Sequence, residues 1–584
     1  MDANIIMKRI ALFSILGLFV FSFVPSAMAQ RPPNGPEGDQ PGAQASRFQS
    51  DAELAKSRVE KKAVKKPQIS MEGEKAKPEA EAGPSFTLKD IVITGSTVFK
   101  PEELKSVYGP YLGKEVAYKD INEIVEKIKD EYKKKGNFTT IVYIPEQNIV
   151  DGKLEIRASE GKTGEVNIEG NKWFSASMLR NYIHAKKNEL LNIFKLERDI
   201  LRINQNADLE AKVVLAPGKE PGTSDITIKV ADKFPHHVGT SVDNQGTRLV
   251  GKYRNSFSYR SSNMLGFADT AYYSTIMSAT SSGNYATYTI PIDTYGTKAA
   301  FDFTQFYSKL GQELKGFDIT GNTEIYTPHI IGEIYLSDML QVNIDTGLEI
   351  KSIKKNIDGE KSSNDQLRLF YVAYDITRID SILGGGQTSF SPRVTFSTED
   401  FLGASRQDHP SASRSGTGGV FVKYEQNLRR YQKLPFESYM IMRSQFQFAS
   451  HSLPPSEQMQ LGGSYTVRGY PEGDYTADYG ATLNMDWYFP CYLIPKEWKL
   501  PKADQPLRNQ IEPVAFFDMG GGGLMRVNPG EYNGQFLMGV GGGLKLHFNR
   551  NVFLRMDWAE PLGGDLPAQG NGPSTFYLTL QCEV

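Results

Sequence analysis

After Pro235 the chain loses the period of a helix and takes up the period of a strand. Short segments alternate apolar with polar residues, separated by clusters of Gly, Asn, Asp, Ser and Pro. In Ser438 to Ala449, Met440, Met442, Phe446 and Phe448 share one face, and Arg443, Gln445 and Gln447 share the other. Val552, Leu554, Met556 and Trp558 oppose Phe553, Arg555 and Asp557, and Phe576, Leu578 and Leu580 oppose Tyr577, Thr579 and Gln581. An aqueous sandwich alternates too, but its inner faces rarely carry Arg with Asp. One face here suits lipid and the other a wet lumen. No strand edge can stand in hydrocarbon, so the sheet has to close into a transmembrane β-barrel. Segments from His236 to Val584 number about sixteen antiparallel strands, at roughly 10 residues per strand plus short turns and longer outer loops. An even number puts both barrel ends on the periplasmic side.

The N-terminus agrees with export. Lys8 and Arg9 precede the apolar run Ile10 to Val24, and Ala27-Met28-Ala29 offers small residues before a cut at Gln30, the pattern of a signal peptide over residues 1–29. No later run is long and apolar enough for a membrane helix. A net charge of −2 gives no reason to expect a nucleic-acid partner. Aromatics at 11% together with abundant Gly suit β-structure that meets lipid. The two cysteines, Cys491 and Cys582, are most simply unpaired thiols; a disulfide would need an approach that sequence does not establish.

Residues 30–85 are rich in Pro, Gly, Gln, Ala, Glu and Lys, which predicts a flexible linker. Within it, Asp51 to Lys66 lacks Pro and Gly and allows a short, solvated helix. From Phe86 the order is strand (Leu88 to Gly95), helix (from Pro101), helix (from Asp120), then strands at Thr140–Ile144 and Leu154–Arg157. Ile121, Ile124, Val125, Ile128 and Tyr132 form the stripe of the second helix. The same order recurs with Val166 to Asn171, a helix over Ser175 to Ala185, a helix marked by Leu196, Ile200 and Ile203, and strands at Val213–Leu215 and Ile226–Val230. Residues 86–163 and 164–234 are therefore a tandem repeat of small α+β domains ahead of a barrel at 235–584.

Motifs for chemistry are sparse. There is no Gly-x-Ser-x-Gly and no His-Glu-x-x-His. Gly161-Lys162-Thr163 lacks the upstream Gly of a phosphate loop, and the Gly520 to Gly523 run, with no lysine after it, suits the entry to an outer loop. His236-His237 has no clustered ligand and suits a domain junction. No enzyme, cofactor or metal is expected. The loop between Ala449 and Tyr479 differs. It is long and holds Val467-Arg468-Gly469-Tyr470. Further on, Phe516 and Asp518 share a face with Glu512 and Val514, while Ala515, Phe517 and Met519 suit lipid. Asp518 then points into the lumen, where a carboxylate favours a cation. Arg468 can supply a two-pronged donor if the loop folds inward, with Gly469 permitting the tight turn. Two independent, solvated charges are the alternative.

Val467-Arg468-Gly469-Tyr470 resembles the Val-Arg-Gly-Phe/Tyr loop of outer-membrane assembly and two-partner secretion barrels. Phe516-x-Asp518-x-Gly520 resembles their partner strand motif. The repeats resemble POTRA domains, and Tyr143 to Gln147, with Pro145, Gln147 and then Gly152, is similar to the first POTRA domain of TpsB-type transporters (haemolysin secretion/activation proteins, ShlB/FhaC/HecB-like). Asp243 to Gly246 resembles the end of their first barrel strand. The resemblance implies an arginine that enters the lumen and pairs with the strand aspartate. It also implies an outer-membrane transporter, monomeric in lipid, that passes an unfolded partner exoprotein of haemolysin or adhesin type from POTRA domains in the periplasm through the barrel to the surface of a Gram-negative cell. A barrel-assembly factor is the alternative; two POTRA repeats rather than a longer array favour secretion. The chain departs from the pattern by ending Gln581-Cys582-Glu583-Val584 rather than in Phe, and by a long periplasmic turn from Pro490 to Pro513.

Overall fold

The computed structural model of the chain describes residues 39–60, 68–71, 85–499, 506–548, 552–562 and 574–583; the signal peptide expected over residues 1–29 lies outside them. Sixteen antiparallel strands, from His236–Asp243 to Thr575–Glu583, form a closed barrel in which each strand pairs with its sequence neighbour and the last pairs with the first. The expected faces hold. Phe446, Phe448, Trp558, Phe576 and Leu580 are exposed on the outer wall, whereas Gln447, Asp557 and Tyr577 are buried inside. No helix among the described residues is long and apolar enough to cross a membrane.

Two α+β domains precede the barrel. In the first, strand Asp90–Thr94 runs parallel to Lys153–Ser159, and Ile141–Tyr143 pairs antiparallel on its other side. Helix Pro101–Tyr108 opens with Pro at its first turn and Glu103 accepting from the Lys100 amide at 2.7 Å. Helix Tyr118–Lys134 buries Ile121, Ile124, Val125, Ile128 and Tyr132, the stripe expected from periodicity. Burial pushes the Tyr132 hydroxyl up to about 12, and it donates to Ser96 Oγ at 2.6 Å. The second domain repeats the order with Lys162–Glu169, helices Ala176–Asn181 and Ile193–Asn204, and strands Leu209–Pro217 and Thr223–Asp232. Its first helix is shorter than the expected Ser175 to Ala185. The Arg180 guanidinium donates to the carbonyls of Ile183 and Ala185 at 2.7 and 3.2 Å, so a side chain takes over where the helix would have continued.

His236 and His237 sit at the junction with the barrel. Asp208, at the head of the strand Leu209–Pro217, accepts from or pairs with His237 Nε2 at 3.0 Å and Arg260 at 3.2 Å. Arg202 reaches Glu333 on the barrel at 2.8 and 3.1 Å.

Two stretches of the segment expected to be a flexible linker with a short solvated helix are among the described residues. A helix is described over Pro41–Glu60, starting before Asp51, and residues 61–66 of the expected helix lie outside the described residues. Pro41 is tolerated because it stands at the first helical position, where its missing N–H is not needed. Rather than lying in solvent, the helix sits inside the barrel, where Ala45, Phe48 and Ala52 pack on Tyr272, Ile276, Tyr285 and Phe306 of the wall. Its remaining sides are polar because the lumen is polar: Asp51 pairs with Arg254 at 2.9 Å, and Lys56 donates to Thr287 at 3.2 Å. A sparse apolar stripe is what a helix in a wet lumen requires. Further along, Ile69–Met71 adds a parallel strand to the edge of the second domain, beside Val213 to Leu215.

Candidate functional site: a loop folded into the lumen

Three wall strands build the site: Tyr479–Tyr488, Ile511–Gly523 and Val552–Pro561. Asn484 stands opposite Asp518 and Asp486 opposite Phe516, so the inward residues of neighbouring strands lie side by side. The loop between Ala449 and Tyr479 folds back between them, and its own strands Met459–Leu461 and Tyr475–Ala477 pair as a hairpin. Val467 and Tyr470 are buried with Leu461, Tyr475, Ala477 and Leu537, which gives the loop an apolar centre.

Arg468 at the tip is 1% exposed. Three of its N–H groups donate to Asp518: the backbone at 3.1 Å, Nε at 2.6 Å and one terminal nitrogen at 2.8 Å. The fork is thus two-pronged, the geometry arginine supplies and lysine does not. The same terminal nitrogen donates to Asp486, and the other reaches Asp557 at 3.4 Å. The guanidinium carbon lies 3.5 Å from the centre of the Phe516 ring, so the cation faces the negative face of the aromatic. Asp518 is fully buried and also accepts from Asn484 at 2.8 Å.

Glycines make this approach possible. Gly469 has φ +103°, and a Cβ there would stand 2.9 Å from the Pro561 nitrogen. Its amide donates to the Tyr577 hydroxyl at 3.2 Å, which in turn donates to the Tyr470 carbonyl at 3.1 Å. A Cβ on Gly520 would lie 3.1 Å from Val467 and 2.9 Å from Thr482, and one on Gly539 only 1.9 Å from the Arg468 carbonyl oxygen. The Gly520 to Gly523 run forms the last four residues of the strand Ile511–Gly523 and leads into the connection after it, and the missing side chains of Gly520 and Gly522 leave room for Val467 and Ala477 of the loop.

Pro145, Gln147 and Gly152 stand elsewhere, in the first α+β domain. The Gln147 side-chain amide donates to the Glu155 carbonyl and accepts from the Glu155 amide, both at 2.7 Å. It continues the ladder that Pro145, lacking an N–H, interrupts. The Gly152 carbonyl accepts from the Lys89 amide at 2.7 Å, tying the same turn to the start of the domain. The structure thus brings the loop and strand motifs together and holds this third motif apart, in a turn.

Sequence reasoning missed Asp486 and Asp557 as partners of Arg468. Each has the inward parity of its strand, so a signal existed, but which inward residues become neighbours depends on register. Glu457 was missed too. Its carboxylate, 2% exposed, receives Lys351 and Lys423 at 2.7 and 2.8 Å. Cys491 and Cys582 are both free thiols.

A closed sixteen-strand barrel, a loop arginine locked to a strand aspartate inside it and two periplasmic α+β domains define an outer-membrane protein transporter of the POTRA-plus-barrel class. Residues 222–546 match the model of the haemolysin secretion/activation protein family ShlB/FhaC/HecB, residues 86–161 match the ShlB-type POTRA domain, and residues 162–233 match a surface antigen variable number repeat of POTRA type. The chain belongs to the ShlB/FhaC/HecB family of two-partner secretion transporters. It is 25% identical over 80% of its length to the heme/hemopexin transporter protein HuxB of Haemophilus influenzae, covering 81% of that protein. It is 23% identical over 72% of its length to the outer membrane transporter CdiB of Dickeya dadantii, covering 74% of it. CdiB of Escherichia coli, as a solved structure, superposes with a TM-score of 0.75 over 93% of this chain and 99% of that one at 19% identity, a likeness of fold.

Proposed function

We propose that the partner exoprotein, of haemolysin or adhesin type, arrives unfolded in the periplasm, is bound by the POTRA domains and threads through the lumen of a single, monomeric barrel set in outer-membrane lipid. The first domain offers an edge for capture. Strand Ile141–Tyr143 lies at the margin of its sheet, with Ile141 59% and Tyr143 40% exposed, and an extended segment can add there through backbone hydrogen bonds. Folding on the far side supplies the drive.

One observation carries this reading: the lumen is occupied by two segments of the chain itself, each held in part by ion pairs and hydrogen bonds. Polar contacts of that kind exchange for water or for a passing chain at lower cost than a packed apolar core. In the roles assigned here, Arg468, Asp518 and Phe516 hold the loop in its place, Val467 and Tyr470 give it a body, and Gly469 and Gly520 let it fit.

The reading is tested by removing the protein from cells. One secreted protein should be lost from the surface and appear in the periplasm. A general loss of outer-membrane barrels would reject it in favour of a barrel-assembly role.

A further inference from the structure

The lumen loop is bound to the wall at two places of opposite charge. At the tip, Arg443 and Arg555 of the wall form salt bridges to Asp486, and Arg555 also to Asp557, while Asp518 pairs with Arg468, which reaches the other two aspartates as well. On another part of the wall the signs are reversed. Lys351 stands on the strand Leu340–Ile357, Arg393 on Gly386–Ser397 and Lys423 on Val422–Lys433. They are matched by two wall carboxylates, Glu349 and Glu425. By salt bridges the wall supplies three cations and two carboxylates, Glu457 enters from the loop as the third carboxylate, and Glu53 of the lumen helix stands near Arg393. The Glu457 carboxylate takes one lysine on each oxygen, at 2.7 and 2.8 Å, and Gln447 donates to its backbone carbonyl at 3.1 Å.

The neighbours of Glu457 are the seat of the lumen helix. Ser46 donates to the Ser456 carbonyl at 2.6 Å, and Gln460 donates to the Ala43 carbonyl at 2.5 Å. Gly42 leaves so little space that a Cβ would stand 3.0 Å from Ser456 Cβ. The Arg468 cluster touches the far end of the loop, where Arg47 of the helix lies 3.9 Å from Glu472.

We infer that Glu457 is a positioning residue for transport: by closing the Lys351–Lys423 cluster it fixes the limb of the loop on which the lumen helix rests, and so holds the helix in the barrel. Arg468 secures the tip and Glu457 secures the helix. The inference rests on the transport reading only for the meaning of an open lumen. Its test reads ions through purified protein and needs no exoprotein, so either can fail without the other.

The full-length protein is reconstituted in planar lipid bilayers, and the fraction of time in the high-conductance state is recorded. Glu457→Gln should raise that fraction at least roughly tenfold, a small part of what is expected when one partner leaves a buried ion pair. Glu457→Asp should restore part of the closure. Arg468→Ala should open the pore less than Glu457→Gln does. In a chain lacking residues 39–60 the pore is already open, and Glu457→Gln should add nothing. A wild-type open fraction in Glu457→Gln, or a further increase on top of the helix deletion, would overturn the inference. Lys423→Met removes the wall partner and gives the same reading if the Glu457 variants do not insert. Failure of both to yield heat-modifiable barrels would assign the cluster to folding and overturn it as well.

Discussion

Replacing Arg468 by alanine removes a cation that donates three hydrogen bonds to Asp518 and reaches two further aspartates, in a site where arginine is 1% exposed and Asp518 fully buried. Of the three, only the backbone donor survives the change. Taking one partner from a buried pair costs ~3–5 kcal/mol, because the other charge is left without compensation. At ~1.4 kcal/mol per decade this shifts the balance between docked and undocked loop by ~10²–10⁴-fold. Arg443 and Arg555 remain beside the aspartates and set the lower end of that range. Asp518→Asn keeps an acceptor and leaves Arg468 with Asp486 and Asp557, so its effect should be smaller. If the two side chains act as a unit, the double variant should be no worse than Arg468→Ala alone, with an interaction energy at the upper part of the ~0.5–3 kcal/mol seen for touching residues. The assay is chymotryptic cleavage in the loop on intact cells. Tyr470 is 1% exposed when the loop is docked, and the cleavage rate tracks the open population when closing is fast. Barrel insertion, followed by the heat-dependent shift on gels, should be unchanged, while secretion falls sharply. Wild-type protection in Arg468→Ala, or additive effects in the double variant, would refute the coupling.

Other outcomes follow from the same geometry. Gly539→Ala should reproduce the Arg468→Ala phenotype without touching a charge, since its Cβ would meet the Arg468 carbonyl at 1.9 Å; normal secretion by that variant would show that the tip has room to move. Gln147→Ala removes two 2.7 Å hydrogen bonds to Glu155 and should destabilise the first POTRA domain by about 1–3 kcal/mol, read in the intact protein as faster hydrogen exchange at the Glu155 amide; unaltered exchange there would dismiss the bracing role. Deleting residues 86–163 should leave bilayer conductance intact and abolish export of the partner. Export that survives the deletion would move recognition to the second domain.

Much of this was legible in the residues. Alternation sorted lipid-facing Phe446 and Trp558 from lumen-facing Gln447 and Asp557 because a strand has a strict period of two. The stripe Ile121 to Tyr132 survived because its helix packs on one side only. An inward carboxylate made Arg468 a candidate partner for Asp518 beside the alternative of two solvated charges, and the resemblance of the two motifs implied the pairing. What stayed hidden depended on contacts between distant segments. The lumen helix carries few apolar residues because it is surrounded by a polar wall, so it has the composition of a solvated linker. Asp486, Asp557 and Glu457 look like ordinary inward or loop carboxylates until strand register and the fold of the loop bring them to their cations. Gly520 and Gly522 look like flexibility at a strand end and also give clearance to Val467 and Ala477 of the loop.

The strand Ile69–Met71 gives the lumen helix a leash. Its pairing with Val213 to Leu215 fixes the chain to the second periplasmic domain, and only the stretch from Glu60 to Gln68 lies between that anchor and the helix end. Fully extended, a residue spans at most ~3.6 Å, so while the strand stays paired the end of the helix can travel no more than roughly 30 Å from it. A helix expelled by a passing chain therefore remains near the mouth of the pore at a high effective concentration, and its return is a unimolecular event. The pore would reseal after each passage without a new binding partner, and the time it stays open would be set by this tether.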